Sequence, residues 1–178
     1  MFKLETDRLI LRDMSFEDEC AFVAMSQDVK YQRFYDESDC EPNKYRELTQ
    51  LFVEQASEAP RQSYQLAVES KDSGKFIGTV CLRLEGNLQA SMGCAFSREA
   101  QGAGLSLEAA TALASFGFSE LGIHRIYAET ISKNLAAIKL CKVLGMRQEA
   151  QFNQHRFFKG KLWDTVVFAV LRSEWKKV

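Results

Sequence analysis

Apolar residues along the chain change rhythm several times, and each change marks an element. Alternation from Leu4 to Arg12 predicts one strand that ends in charge. In DMSFEDECAFVAM, Ser15 precedes Asp18 by three residues, the spacing of a capping box at a helix start. Residues 28–41 are aromatic and charged without a period. Pro42 then opens a second helix reaching about Ala59, with Leu48, Leu51 and Phe52 on one stripe.

From Ser63 the rhythm shortens. YQLAVES, FIGTVCLRL and LQASMGCAF read as three strands of a meander, joined by the turns KDSGK and EGN. A glycine loop and a helix follow, from about Gly102 to Leu121. HRIYAETI is a strand. NLAAIKLCKVLGM is a helix with Asn134 as N-cap, an apolar face of Ala137, Ile138, Cys141 and Leu144, and Gly145 just past its end. RQEAQFNQHRFF, the turn KGK and LWDTVVFAVLR close the chain as a hairpin. The order βααβββαβαββ predicts an α/β protein with a mixed sheet.

Composition narrows the class. The 178 residues favour one domain over 1–178, and 46% hydrophobic residues leave enough for a core. The net charge of −1 argues against a nucleic-acid backbone as main partner. Five cysteines, without a CxxC, signal neither a metal site nor a disulfide framework and point to reduced thiols in the cytoplasm. The start MFKLETDRLILR lacks the apolar core of a signal peptide, and no apolar run is long enough to span a membrane.

The chemistry starts at QGAGLS, residues 101–106, between a strand and a helix. The first N–H groups of a helix have no partner within it, and glycines let an anion approach them, so the loop is a candidate phosphate cradle. A tight connection is the plainer alternative. A Walker A loop is absent. The dinucleotide fingerprint fails at Leu107, where its third glycine belongs, although Glu129 on the next strand offers the ribose acid of that motif.

With these motifs in order, the chain resembles a GNAT-superfamily N-acetyltransferase, and within it the ribosomal-protein N-acetyltransferase (Rim-type) branch. Gln101, Gly104 and Ser106 stand at the places of the family signature Q/R-x-x-G-x-G/A. LGIHRIYAETISKNLAAIKLCKVLGM resembles the family's strand and Asn-led helix, with Met146 where an aromatic is usual. LETDRLILRDMSFED and FFKGKLWDTVVFAVLRSEW resemble the branch's opening and closing segments. The resemblance covers nearly the whole chain.

It implies a GNAT-like single domain, with a central mixed, mostly antiparallel, splayed sheet flanked by helices. It also implies acetyl-CoA as cosubstrate, no metal, and transfer of acetyl to a primary amine, such as a protein N-terminus. The pyrophosphate would lie on the backbone of Gln101, Gly102, Ala103, Gly104, Leu105 and Ser106. The pantetheine arm would pair with Cys94, Ala95 and Phe96, and Asn134 would touch the cofactor besides capping its helix. A bulge near Cys94 would supply an oxyanion donor. Tyr31, Phe34, Tyr35 and His155 would line the acceptor side, with Asp36, Glu37 and Asp39 attracting a cation. The resemblance suggests a homodimer, as family members often pair.

Two positions depart from the family. Cys141 stands where many relatives have a Tyr acid, and Ser91 where Rim-type relatives have a Glu base. Both are weak candidates for proton transfer, so an acyl-CoA-binding or sensor domain without catalysis is the alternative. Glu108, His124 and Asp164 read as structural.

Overall fold

A computed structural model describes residues 1–176. Its strands are β1 (Lys3–Glu5), β2 (Leu9–Asp13), β3 (Ser63–Ser70), β4 (Phe76–Glu85), β5 (Gln89–Phe96), β6 (Arg125–Ile131), β7 (Arg147–Phe158) and β8 (Lys161–Leu171). Its helices are α1 (Glu19–Ser26), α2 (Pro42–Ala56), α3 (Leu105–Ser119) and α4 (Leu135–Val143). All eight strands form one sheet in the order β1-β2-β3-β4-β5-β6-β8-β7. Every neighbouring pair is antiparallel except β5 and β6. The expected α/β sheet, mixed and mostly antiparallel, is the observed one.

The first expected strand is two. Thr6 turns the chain, its Oγ1 accepting from the Leu9 N–H at 3.0 Å, and β1 folds back on β2. A short polar side chain that bonds the backbone two or three residues on breaks a ladder in this way. Helix α2 ends at Ala56 rather than Ala59; Pro60 biases its predecessor away from helix. Helix α3 starts at Leu105, because Gly102 and Gly104 before it have φ of 88° and 77°, outside the helical region. The KGK turn has left-handed Lys159 and Gly160, the pattern of a two-residue hairpin turn.

Two layers of side chains cover the sheet. On one face, Leu66, Val80, Leu82, Ala90, Met92, Ile126 and Phe168 pack with Ala109, Leu113 and Phe118 of α3 and Cys141 of α4. On the other, Ala67 meets Phe22 and Met25 of α1 and Tyr45 of α2, with Ala95 against this cluster. A smaller cluster, Ile131, Phe158 and Trp163, takes Phe34 on that second face. Among the described residues, no helix is long and apolar enough to cross a membrane.

Candidate active site

Strands β5 and β6 pair for only three residues: Gln89 with Arg125, Ala90 with Ile126 and Ser91 with Tyr127. Beyond that each stays with its outer neighbour. β5 follows β4 up to Phe96, and β6 follows β8 up to Ile131. A V therefore opens in the sheet from Met92 and Ala128 onward. A cavity of roughly 320 Å³ occupies it. Its walls include Leu140, Cys141 and Leu144 from the α3/α4 side, and Phe22, Tyr45 and Phe52 from the α1/α2 side. The slot thus passes through the sheet.

The β5 edge of that slot carries Gly93, Cys94 and Ala95. No bulge interrupts β5 there: its register with β4 runs unbroken from Glu85–Gln89 to Gly78–Phe96. The expectation of a bulge near Cys94 is corrected accordingly. In a strand, alternate residues aim N–H and C=O at opposite neighbours. The splay therefore leaves β5 groups facing the slot instead of β6.

Past Phe96, the Gln101 side chain donates to the Phe96 carbonyl at 3.1 Å and pins the loop to the strand end. The Gln101 N–H is turned to the Arg98 carbonyl at 3.3 Å. Among the described residues no backbone acceptor takes the N–H groups of Gly102 to Leu107, and the first bond of the turn is Glu108 N–H to the Gly104 carbonyl. φ is positive at Gly102 and Gly104 and negative at Ala103 between them. Such alternation points successive N–H groups into one concavity. The helix dipole of α3 adds positive charge at the same place.

The loop is braced from the side. Glu108 accepts from Thr6 Oγ1 at 2.6 Å, the Arg8 N–H at 2.9 Å and Arg8 Nε at 2.7 Å, while Arg8 Nη1 donates to the Ala103 carbonyl at 2.9 Å. Burial would raise the Glu108 carboxyl, but these bonds outweigh it and hold it below the usual range. The structural reading of Glu108 is thereby given its partners. Arg8, which sequence reasoning passed over, sits over Gly104, with Nη2 3.7 Å from where a Cβ would stand.

Across the slot, Asn134 caps α4, its Oδ1 accepting from the Ala137 N–H at 3.3 Å. Cys141 projects from the same helix into the wall and is buried. Burial pushes its thiol up to about 11 and that of Cys94 up to about 12. Cys81 is raised by burial too. Only about one part in a thousand of a thiol at 11 ionises at pH 8. With iodoacetamide at pH 8 and mass spectrometry, exposed Cys20 is expected to label first. Cys81, Cys94 and Cys141 are expected to lag by at least tenfold unless the chain is unfolded.

Ser91 lies at the closed end of the V, paired with Tyr127, and neither cavity described here includes it. A second cavity, of roughly 270 Å³, adjoins the slot on the α1/α2 face. Phe34, Tyr35, Asp36 and Asp39 wall it on one side, and Arg156, Phe158 and Thr165 on the other. Tyr31 lines the slot and stacks on Tyr35, ring centroids 5.2 Å apart. Of the expected acceptor residues, Tyr31, Phe34 and Tyr35 are therefore gathered here. His155 is exposed and stands one step back, its Nδ1 2.7 Å from Thr165 Oγ1.

The acidic residues of the 31–40 segment split by role. Asp36 accepts from the N–H and Oγ of Ser38, and Glu37 from the Lys159 N–H. Lys159 Nζ also donates to the Gln32 carbonyl, so the segment is tied to the β7–β8 turn. Asp164 accepts from the Gln154 N–H at 2.7 Å and holds the irregular part of β7, as its structural reading expected. Sequence reasoning did not connect Glu129 or Arg156 to this region.

Comparison with known proteins agrees with this geometry. Residues 8–147 match the family model of the acetyltransferase (GNAT) domain. The chain is 28% identical to an uncharacterized N-acetyltransferase p20 of Bacillus licheniformis, covering 98% of this chain and 99% of that protein. Its fold is similar to the crystal structure of ribosomal-protein-S5-alanine acetyltransferase from Vibrio fischeri, at a TM-score of 0.81 and 18% identity over 99% of this chain and all of the other. It is also similar to spermidine N-acetyltransferase from Vibrio cholerae, solved in complex with CoA and spermine, at a TM-score of 0.79 and 22% identity over 95% and 98% of the two chains. The family model covers well over half of the sequence, and the chain belongs to the GNAT family of acetyltransferases.

Proposed function

We propose that residues 1–178 form one catalytic domain that moves an acetyl group from acetyl-CoA to a primary amine. The observation that carries this reading is the slot through the sheet, which the second cavity adjoins and whose β5 edge runs on in the chain into the glycine loop. The fit to the cosubstrate is chemical. Gly102 to Ser106 present free N–H groups to a pyrophosphate, and the splayed edge at Cys94, Ala95 and Phe96 offers a peptide-like arm the bonds of a missing strand. Asn134 lines the slot and meets the arm while capping α4. Acetyl-CoA supplies the thioester when bound.

The acceptor enters through the second cavity, between Tyr35, Asp36 and Asp39 on one wall and Arg156 on the other. Its carboxylates favour a cationic amine. A protein N-terminus, as in the Rim-type branch, fits an opening of this kind, and so does a polyamine; the fold neighbours cited above are named for one of each. The protein works in the cytoplasm, where its thiols stay reduced. The test is thiol release from acetyl-CoA with spermidine and with an alanine-initiated peptide. Turnover above the acceptor-free rate is expected. CoA that binds in titration, with no turnover on any amine, would instead favour a binding or sensor domain, the reading that Ser91 and Cys141 motivate.

A further inference from the structure

We propose that the part of the slot under α1 and α2 is a pocket for the substituent carried beside the acceptor amine. Gln65 on β3 selects there for an apolar, preferably aromatic body with an uncharged hydrogen-bonding tip. The proposal rests on the acetyltransferase reading above and narrows its acceptor. Two independent observations carry it: a buried amide with no protein partner, and the lining of the chamber in front of that amide.

Parity along the strands places the floor. Tyr64 and Leu66 pack into the α3/α4 layer, and Ala67 into the α1/α2 layer. Side chains alternate along a strand, so Gln65 faces α1 and α2. Val80, Leu82 and Met92 pack toward α3, which turns Cys81 and Gly93 to the α1/α2 side as well. Gln65 pairs with Cys81, and Cys81 with Gly93. These residues form one row across the sheet that ends at the β5 edge of the slot. At the usual strand spacing the row is about 10 Å long. Gly93 puts no side chain in the way, and a Cβ there would stand 3.3 Å from Cys81 Sγ. Phe22 of α1 and Leu48 and Phe52 of α2 form the roof. One chamber thus extends from the residues shared with the second cavity, Tyr35, Glu129, Thr130 and Asn134, to Gln65.

Gln65 is 6% exposed and lines this chamber. Among the described residues, no side chain or backbone group bonds its carboxamide. Buried amides are normally bonded, and one left open in a cavity wall is completed by a ligand, or by water in its absence. The phenols nearby are taken: Tyr45 donates to Tyr31 at 3.2 Å, and Tyr31 stacks on Tyr35. Arg83 is exposed to solvent, and the half-buried Thr79 has a hydroxyl that turns to suit its surroundings. An amide both donates and accepts but carries no charge. It satisfies a hydroxyl or another amide, whereas an ionised tip would give up its water for one neutral partner. The aromatic residues around the chamber favour a ring as the body of the substituent.

A peptide acceptor supplies such a group. At its start, one carbon bears the amine, the side chain and the onward chain. With the amine at the junction and the onward chain leaving through the second cavity, the side chain has the chamber. Tyrosine matches it, with a ring for the walls and a hydroxyl for Gln65. Alanine leaves the chamber empty, and a linear polyamine has no branch to place there.

The experiment measures kcat/KM with acetyl-CoA for peptides that differ only in a first residue of tyrosine, phenylalanine or alanine, on wild type and Gln65→Met. Titration with CoA comes first and tests the parent reading separately: wild-type protein that ignores CoA sinks that reading and the proposal together. With CoA bound, tyrosine is expected to exceed phenylalanine about tenfold, the worth of one neutral hydrogen bond. Phenylalanine should exceed alanine at least about tenfold through buried apolar surface. In Gln65→Met the tyrosine-to-phenylalanine ratio should fall to about one or below, because the hydroxyl has lost its partner, while phenylalanine stays ahead of alanine. Thermal melting separates this from damage to the fold. The Tm of Gln65→Met is expected at or above that of wild type, since methionine removes an unpaired amide at nearly equal length. A Tm several degrees lower would mean that the amide is bonded within the fold, and overturns the proposal. If no peptide turns over, the same ratios are read as Kd by titrating the peptides into CoA-saturated protein. Equal values for the three peptides on wild type overturn the proposal and leave CoA binding standing, and so does a tyrosine-to-phenylalanine ratio that Gln65→Met leaves unchanged. A preference for hexanoyl-CoA over acetyl-CoA, with none among the peptides, overturns it too and assigns the chamber to the acyl chain.

Discussion

Gly104→Asp is expected to weaken CoA binding about a hundredfold or more, near 3 kcal/mol, while the chain stays folded. Gly104 sits at φ 77°, where a side chain is strained, and Asp is among the residues that tolerate this region best. A Cβ there would meet only Arg8 Nη2 at 3.7 Å, an ordinary contact, so there is room for the new side chain. The loss comes from charge. A carboxylate about 5 Å from one phosphate charge costs about 3 kcal/mol at an effective dielectric of 20. The Arg8 guanidinium offsets part of that, and the second phosphate charge restores it. Gly104→Ala carries the backbone strain without the charge and should lose much less. Titration calorimetry with CoA on both variants, beside thermal melts, separates the two effects. Equal affinities for Gly104→Asp and wild type would show that the phosphates do not sit on this loop.

Much of this architecture was legible because it rests on local rules. The period of NLAAIKLCKV, the cap at Asn134, Gly145 beyond it and the KGK turn each name an element, and each is where it was expected. The split of the first strand was missed because Thr6 and Asp7 are weak turn signals inside an apolar alternation. The local bond from the Leu9 N–H to Thr6 Oγ1 and the long-range bonds from Thr6 and Arg8 to Glu108 together fix that turn.

The site divides in the same way. The glycine loop announces itself, since free N–H groups at a helix start are a local property. Glu129 does not. Its place, lining both cavities, depends on the register of β5 with β6 and on where that pairing stops, and neither is written in a strand's own residues. Read alone, Glu129 served a dinucleotide motif whose third glycine is Leu107. Ser91 had the opposite fate: it was singled out by likeness to relatives, and the structure places it at the closed end of the V.

Arg12→Ala is expected to cost about 3 kcal/mol, the low end for breaking a buried ion pair, because Arg12 itself is partly exposed. Arg12 reaches from β2 to Asp18 with two parallel bonds of 2.8 Å, and its Nε meets Glu69 at 3.1 Å. Asp18 is only 4% exposed. Burial would raise its carboxyl, but the Arg12 bonds and the Ser15 N–H together hold it below the usual range. Without Arg12 a desolvated charge is left with Ser15 alone. At about 2–4 °C per kcal/mol for a chain of this size, Tm should fall by about 6–12 °C. Arg12→Lys should recover only part, for want of the planar fork. The sign with pH follows from the depressed carboxyl. Its stabilisation is present above the unfolded value near 4 and is lost as pH falls through the folded one, so wild type and Asp18→Asn should converge in acid. The pair also has a place in function. Asp18 leads into α1, which holds Phe22 against the slot on the acceptor side, while the glycine cradle hangs from α3 on the other face. At a temperature where Arg12→Ala remains folded, acceptor KM should therefore rise more than CoA affinity falls. Equal losses in both would mean that the tie stabilises the whole sheet and not one wall of the site.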